Sequence, residues 1–132
     1  IKPRLRMTTL YYYAQDLGYL VLGPSNASEW YLGYSTKYGD SGADIMPIAN
    51  ILKTDIFKVA RELGLPDFVI NKKPSAGLWA GQTDEDEMGF TYEVLDAYIR
   101  GEKTPEPEIK EKIDRMHKKS EHKRVMAPSF KF

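Results

Sequence analysis

Apolar residues in the first part of the chain recur at the spacing of one face of an α-helix. The positions that follow this spacing are Met7, Leu10, Tyr11, Ala14 and Leu17. Pro3 suits the first turn of such a helix, and Gly18 is a residue type at which helices commonly end. The pattern therefore predicts an amphipathic helix over residues 3–18.

A short apolar run follows this helix without polar alternation. Residues 19–23 have the sequence YLVLG, which is typical of a strand buried on both faces of a parallel sheet. Residues 24–29 contain turn and N-cap types, with Asn26 and Glu29 at the spacing of a capping box. This order of elements indicates the α/β class, in which ligands bind beyond the carboxyl ends of the strands. The turn at 24–29 is thus a candidate edge of a site.

Three further helices are predicted downstream of a polar, glycine-rich and irregular segment at 35–50. A helix over 54–63 should be capped by Thr54, with apolar positions at Ile56, Val59, Ala60 and Leu63. A helix over 91–100 should bury Val94, Leu95, Tyr98 and Ile99. A helix over 104–119 should begin with Pro105 in its first turn and direct inward Ile109, Ile113 and Met116.

Residues 71–88 have no hydrophobic periodicity. This segment combines glycines, Pro74 and Trp79, and a loop of such length in a compact domain is either a functional lid or disordered. Leu78 and Trp79 favour the lid, because disordered segments are poor in large apolar residues. We therefore predict that residues 72–87 form a mobile lid loop over a site.

The 132 residues, of which 42% are hydrophobic, suit a single unit spanning residues 1–132. Only one buried strand, or at most two, is predicted, and so few strands cannot close the core of a parallel sheet. We therefore expect that a preceding portion of the protein carries further strands.

Composition excludes several classes of function. The chain has no cysteine, which removes disulfide frameworks, thiolate zinc sites and thiol nucleophiles and fits a reducing cytoplasm. No apolar run is long enough to span a membrane. Nineteen basic and nineteen acidic residues cancel, so no long-range field attracts nucleic acid or a membrane surface. The acidic run at 84–87 and the basic stretch at 110–124 are interpreted as solvated faces.

Several charged side chains have candidate chemistry, each with a plainer alternative. Glu29 is placed either to cap its helix or to help hold Mg²⁺ at nucleotide phosphates. Lys37 and Lys53 are either solvated lysines or anion contacts, Lys53 together with the free N–H groups of the helix that follows it. The basic residues 122–124 suit an anionic ligand, a partner subunit or plain solvation.

Considered together, these segments resemble the C-terminal half of the NAD synthetases. The resemblance rests on residues 4–7, 21–23, 26–29, 36–40, 42–45, 47–48, 52–54, 73–76, 81–85 and 120–124. It implies the ATP-pyrophosphatase (adenine nucleotide alpha hydrolase-like) fold, a twisted parallel sheet flanked by helices, with its N-terminal part absent. It also implies a cytoplasmic homodimeric ligase that adenylates the nicotinate carboxylate of deamido-NAD with ATP and amidates it with ammonia.

The resemblance also assigns residues. It implies Glu29 as a Mg²⁺ ligand and, as ATP contacts, Lys53, Ser75 and Pro24. It implies, as contacts of deamido-NAD, Arg4, Lys37, Asp44, His122 and Lys123. The family usually has threonine where Pro24 stands, and proline has neither a hydroxyl nor an N–H group for that contact. No residue is assigned a catalytic role.

The family's phosphate-binding Ser-Gly-Gly-x-Asp-Ser loop does not occur in these 132 residues. Catalysis is therefore expected of the complete protein, and this fragment alone is expected to be inactive. Another ATP-pyrophosphatase amide ligase and a nonenzymatic nucleotide-binding or dimerisation module remain alternatives. The basic stretch has interleaved acids and no aromatic residues for base stacking, which disfavours nucleic-acid binding. Glutamine remains open as an alternative nitrogen source to ammonia.

Overall fold

The structure is a computed structural model, and it describes residues 1–130. Seven α-helices and one 3₁₀ helix account for the regular structure of these residues. The α-helices are α1 Lys2–Leu17, α2 Ala27–Leu32, α3 Lys53–Glu62, α4 Asp67–Ile70, α5 Asp84–Met88, α6 Tyr92–Ile99 and α7 Pro107–Lys119. The 3₁₀ helix covers Glu121–Lys123.

The predicted parallel sheet is not confirmed. Strand pairing in the described part of the chain is limited to one parallel bridge between Leu22 and Ile45, beside which Gly23 N–H donates to Ile45 O at 2.7 Å. Val21 is buried at 6% exposure, whereas Leu20 and Leu22 are 67% and 64% exposed. A strand buried on both faces needs covering layers on both sides, and residues 1–130 provide only one of them.

The predicted helix ends are correct where residues next to the helix in sequence cap or terminate it. α1 ends at Gly18, whose φ of 67° lies in the left-handed region. At α2, the Asn26 side chain accepts a hydrogen bond from Glu29 N–H at 2.9 Å, and the Glu29 carboxylate accepts one from Asn26 N–H at 3.2 Å. The predicted capping box is therefore present. Thr91 caps α6 through the N–H of Val94.

The capping residue of α3 and the first residue of α7 were predicted wrongly. Thr54 does not cap α3, which begins one residue earlier with Leu52 at its N-cap and no side-chain cap of its own. α7 begins at Pro107, so the proline in its first turn is Pro107 and Pro105 lies outside the helix. The short helices α4 and α5 were not predicted, because they are too brief for hydrophobic periodicity to reveal them.

The core lies between α2, α6, α7 and the segment 88–92. Its buried side chains are Leu32, Met88, Phe90, Tyr92, Leu95 and Ile113. Ile109 and Met116 pack against this cluster, which confirms the predicted inward face of α7. Leu10 and Leu17 of α1 are 54% and 56% exposed, so the apolar face of α1 is covered only in part. Residues 1–130 contain no helix long and apolar enough to cross a bilayer.

Candidate functional site

A cavity of about 640 Å³ lies beside the bridge between Leu22 and Ile45. α1 and the starts of α2 and α3 form one side of it, and the segment 75–87 forms another. The three residues that the resemblance assigns to ATP, Pro24, Lys53 and Ser75, line this cavity, and so does Glu29, which it assigns to Mg²⁺. The structure therefore brings together side chains that are more than fifty positions apart in the sequence.

Glu29 and Lys53 form an ion pair at the cavity wall. Lys53 Nζ lies 3.2 Å from Glu29 Oε1, and each side chain is 18% exposed. The ammonium also lies 5.3 Å from the centre of the Tyr92 ring, within the range of a cation–π interaction. The other carboxylate oxygen of Glu29 completes the capping box of α2. The interpretation of Glu29 as a helix cap is therefore confirmed, and the same carboxylate lies at the wall of the cavity.

The expectation that Lys53 shares an anion site with free N–H groups of α3 is wrong. The N–H of Lys53 donates to Ser28 Oγ at 2.9 Å, and the N–H of Thr54 donates to Asp96 Oδ2 at 2.8 Å. These donors are already paired inside the protein, because Asp96 from α6 reaches the start of α3. Any contact of Lys53 with an anion must come from its side chain.

A second group of polar side chains at the cavity was missed from the sequence. Asp84 is only 4% exposed, and its Oδ1 has no hydrogen-bond partner among residues 1–130. Tyr92 donates its hydroxyl to Asp84 Oδ2 at 3.0 Å. Glu87 accepts from the Tyr34 hydroxyl, and it accepts from Gln82 Nε2 at 2.8 Å. The interpretation of residues 84–87 as a solvated face is therefore wrong for Asp84.

The two tyrosines of this group are held in the neutral form. Burial, followed by the charges of Glu29 and Asp84, raises the pKa of Tyr92 above its usual value. Burial and the hydrogen bond to Glu87 likewise raise the pKa of Tyr34. Both hydroxyls are therefore hydrogen-bond donors to carboxylates at neutral pH. The sequence signal for this arrangement is Thr83, whose side chain accepts from Asp86 N–H and starts α5 within the acidic run.

The segment that carries Ser75 is tied to α1. Arg6 donates from its guanidinium to Ala76 O at 3.2 Å and to Gly77 O at 3.1 Å, and Lys2 Nζ donates to Leu78 O at 2.5 Å. The Ser75 hydroxyl accepts from Gly77 N–H at 3.1 Å. Arg6 was not predicted as a site residue, because contacts to backbone carbonyls leave no pattern in the sequence.

The residues that the resemblance assigns to deamido-NAD are arranged differently. Of the five, only Lys123 lines the cavity among the described residues. Arg4 Nε donates to Lys37 O at 3.3 Å, and Lys37 Nζ donates to His122 O at 2.6 Å. Arg4, Lys37 and His122 therefore form one basic group outside the cavity.

Lys123 and Asp44 already have partners within the protein. Lys123 Nζ donates to Gly33 O at 2.6 Å and to Ser35 O at 2.5 Å, and burial lowers the pKa of its ammonium. The Asp44 carboxylate accepts from Tyr11 Oη at 3.1 Å and from Val21 N–H at 2.8 Å. In this structure the two side chains hold the loop after α2 and the bridge region in place.

A comparison with known protein families shows to which family the chain belongs. The NAD synthase family matches residues 1–127, nearly the whole sequence. The chain belongs to the NAD synthase family. This assignment agrees with the resemblance found in the sequence.

Members and structural neighbours of the NAD synthase family match the chain closely. The NH3-dependent NAD(+) synthetase of Finegoldia magna is 64% identical over 132 residues, which are all of this chain and 54% of that protein. A solved NMN synthetase from Francisella tularensis is 47% identical with a TM-score of 0.93, and the match covers 98% of this chain and 54% of that chain. An NH3-dependent NAD synthetase from Campylobacter jejuni is 28% identical with a TM-score of 0.75, and the match covers 98% of this chain and 52% of that chain.

This chain therefore spans about half the length of the relatives it matches. Its structural neighbours are NAD synthase family proteins, which is consistent with the ATP-pyrophosphatase fold.

Proposed function

We propose that the complete protein is an ATP-dependent amide ligase that converts the nicotinate carboxylate of deamido-NAD into the amide of NAD. In this reaction ATP adenylates the carboxylate with release of pyrophosphate, and ammonia then displaces AMP. The observation that carries the proposal is the cavity in which Glu29, Lys53 and Ser75 meet. The names of the relatives, which specify NH3-dependent synthesis of NAD, support the reaction and its nitrogen source.

A free carboxylate is a poor acyl donor, because its charge repels nucleophiles and oxide is a bad leaving group. Adenylation replaces oxide with AMP, and cationic groups stabilise the pyrophosphate that leaves. The Lys53 ammonium suits this role, because it is fixed between Glu29 and the Tyr92 ring and faces the cavity. The Ser75 hydroxyl adds a polar contact for a phosphate oxygen from the facing loop.

Glu29 fits a magnesium ion that is held partly by the substrate. Residues 1–130 contain no group of three or more His, Cys, Asp or Glu arranged as a metal cage. Mg²⁺ commonly binds one or two carboxylates together with substrate phosphates and water, and Glu29 offers one such carboxylate at the cavity. When bound, the ion supplies positive charge to the phosphates. Lys53 and Glu29 would then hold the nucleotide from adjacent positions.

The segment 72–87 is proposed as the lid of this cavity. Its residues Leu78 and Trp79 line the cavity beside Ser75. Apolar side chains above a reactive acyl-adenylate exclude water, which protects the intermediate from hydrolysis. The ties from Arg6 and Lys2 hold the segment in the position seen here.

A second acid is a candidate for the substrate that is amidated. The Francisella relative is described as an NMN synthetase, so the amidated acid of the complete protein is either deamido-NAD or the corresponding mononucleotide. Arg4, Lys37, Asp44, His122 and Lys123 are proposed to bind the phosphates and hydroxyls of either acid. Homodimer formation and a cytoplasmic location are proposed from the same resemblance. A nonenzymatic module is less well supported, because the relatives are named as synthetases.

Formation of the amide by the complete protein tests the proposal. The protein would be supplied with MgATP, either acid, and ammonium or glutamine, and product would be measured by chromatography. We expect amide from ammonium and none from the 132-residue chain alone. Lys53→Ala and Glu29→Ala should each lose at least about a hundredfold in rate, because the first removes the cation that faces the phosphates and the second removes the proposed Mg²⁺ ligand.

Lys58→Ala is the matched control for Lys53→Ala. Lys58 lies on the same helix, is 68% exposed and, among the described residues, forms an ion pair only with Asp55 across one turn. Its removal should leave the rate within about twofold, because exposed ion pairs contribute little. A folded complete protein that amidates neither acid would contradict the proposed function.

A further inference from the structure

Asp96 is a buried carboxylate that does not line the cavity. Its side chain and that of Ser28 are both 0% exposed. Asp96 Oδ1 accepts from Ser28 Oγ at 2.5 Å, and its Oδ2 accepts from Thr54 N–H at 2.8 Å. A buried charge is tolerated only when its oxygens are paired, and here each oxygen has a partner on a different helix.

These bonds connect the two backbone segments that carry the ion pair of the site. Ser28 immediately precedes Glu29 in α2, and Thr54 immediately follows Lys53 in α3. Ser28 also accepts from Lys53 N–H at 2.9 Å. Asp96 therefore joins the first turns of both helices to α6, a helix of the core.

The start of α3 depends on this contact more than a typical helix start does. Leu52 occupies the N-cap position and provides no side-chain acceptor. Unpaired N–H groups in the first turn are normally satisfied by the N-cap side chain. Asp96 and Ser28 replace that cap from outside the helix, so they determine where the backbone of Lys53 lies.

The placement of that backbone matters because the lysine side chain is long and flexible. An ammonium on a mobile stem loses much of its value as a fixed electrostatic partner, whereas a preorganised one retains it. The 3.2 Å contact between Lys53 and Glu29 requires that the two helix starts keep their spacing. Loss of either bond to Asp96 would let this spacing vary.

We propose that Asp96 is a positioning residue that acts through Ser28 and the Thr54 N–H to fix Glu29 and Lys53 at the spacing needed for magnesium nucleotide. The inference rests on the proposed function, in which Lys53 contacts the nucleotide and Glu29 holds its magnesium ion. It adds Asp96 and Ser28 to the site, two buried residues that do not line the cavity.

Asp96→Asn and Ser28→Ala in the complete protein test this role. Asparagine keeps the shape of the side chain but replaces one acceptor with a donor, and alanine removes the hydroxyl that links the two helices. We expect each to weaken MgATP binding, measured by titration calorimetry, by roughly tenfold or more, as is usual for residues that orient ligating groups. The half-saturating Mg²⁺ concentration in the amidation assay should rise in parallel.

Asp55→Asn is the control for loss of a carboxylate at the same junction. Asp55 lies in the first turn of α3 and binds Arg100, at the end of α6, at 2.6 Å. Within residues 1–130 its carboxylate forms ion pairs with Arg100 and Lys58 and none with Lys53. Its removal should leave MgATP affinity unchanged. The double variant of Ser28 and Asp96 should bind MgATP about as weakly as either single variant, because both act through one network.

Unchanged MgATP affinity in Asp96→Asn and Ser28→Ala would overturn the inference, as would an equal loss in Asp55→Asn. If Asp96→Asn does not fold, Ser28→Ala decides alone, because it leaves the bond between Asp96 and Thr54 intact. Failure of the proposed function has a different signature, in which wild-type protein binds MgATP but amidates neither acid. Calorimetry then still separates the variants from the control.

Discussion

Tyr92 contacts the candidate site with two parts of its side chain. Its ring faces the Lys53 ammonium at 5.3 Å, and its hydroxyl donates to Asp84. The residue is 2% exposed, and burial together with nearby carboxylates raises its pKa. The neutral hydroxyl is therefore part of the folded structure, whereas in the unfolded chain it ionises near its usual pKa of about 10.

This difference predicts how stability depends on pH. A group whose pKa is raised by folding contributes stability that is fully present below the unfolded value and is lost as pH rises toward the folded value. We expect the stability advantage of the wild type over Tyr92→Phe to be constant up to about pH 9 and to shrink above pH 10 by about 1.4 kcal/mol per pH unit. Urea unfolding of the complete protein between pH 8 and 11 measures this difference.

Tyr12→Phe is the control for this titration, because Tyr12 is 69% exposed in α1. The free energy of unfolding of Tyr12→Phe should differ from that of the wild type by the same amount at every pH. A constant gap between the wild type and Tyr92→Phe up to pH 11 would show that Tyr92 ionises as readily in the folded protein as in the unfolded chain.

At the scale of single residues, sequence reasoning succeeded where local spacing carries the information. The interval between Asn26 and Glu29 predicted the helix cap, and the position of Glu29 after the apolar run at 19–23 indicated a carboxylate at the edge of a site. Asp84 and Asp96 were missed because their partners are brought in by tertiary structure. A carboxylate in an acidic run and one in an amphipathic helix look like surface residues until the fold buries them.

Among the elements, the segment 72–83 depends on contacts with α1 rather than on its own regular structure. Arg6 binds two backbone carbonyls of this segment, and Lys2 binds a third. Hydrogen bonds from a cation to carbonyls restrain a loop without burying it, and Ser75, Gly77 and Trp79 remain exposed. Such a segment should open locally far more often than the core does.

Arg6→Ala is predicted to loosen this segment selectively. Amide hydrogen exchange over residues 75–80 should accelerate by roughly tenfold, equivalent to about 1.4 kcal/mol, the order expected for charged hydrogen bonds that are partly replaced by water. Arg61→Ala on α3, also an exposed helix residue, should leave exchange in this segment unchanged. Equal exchange in both variants would mean that the Arg6 contacts do not hold the segment.

The outcome for the helices follows from what fixes their ends. α1 and α6 have a cap or a glycine stop in their own sequence, and their bounds were predicted to within about a residue, the accuracy that such signals allow. For α2, the capping box predicted where the helix starts. The bounds of α3 were also predicted to within a residue, but its cap was not, because the acceptors for its first N–H groups come from Ser28 and Asp96 on other helices. The start of α7 depends on which of two nearby prolines enters the first turn. Sequence patterns contain no information on a cap that comes from another helix, and little on which proline starts α7.

On the scale of the whole molecule, the run 19–23 has the composition of a buried strand but is largely exposed in residues 1–130. Leu20 and Leu22 are 67% and 64% exposed, and the pairing beside them is a single bridge. An apolar strand with open pairing groups is unfavourable in water. The sequence pattern therefore predicts that other parts of the protein cover this segment, and the described residues do not provide that cover. The chain spans only about half the length of its relatives.

A cysteine at position 20 tests whether the complete protein supplies these layers. The 132-residue chain has no cysteine of its own, so a thiol reagent reports on this site alone in that chain. Leu20→Cys should react rapidly in the 132-residue chain and on the order of a hundredfold more slowly in the complete protein, where reaction would require local opening. Lys119→Cys, at the exposed end of α7, should react equally fast in the 132-residue chain and in the complete protein.

Ile113→Cys, in the core, should react slowly in both proteins if the shorter chain is folded. Rapid labelling at position 20 in a folded complete protein would mean that the segment is an exposed edge, and that its apolar composition serves a purpose other than a buried strand.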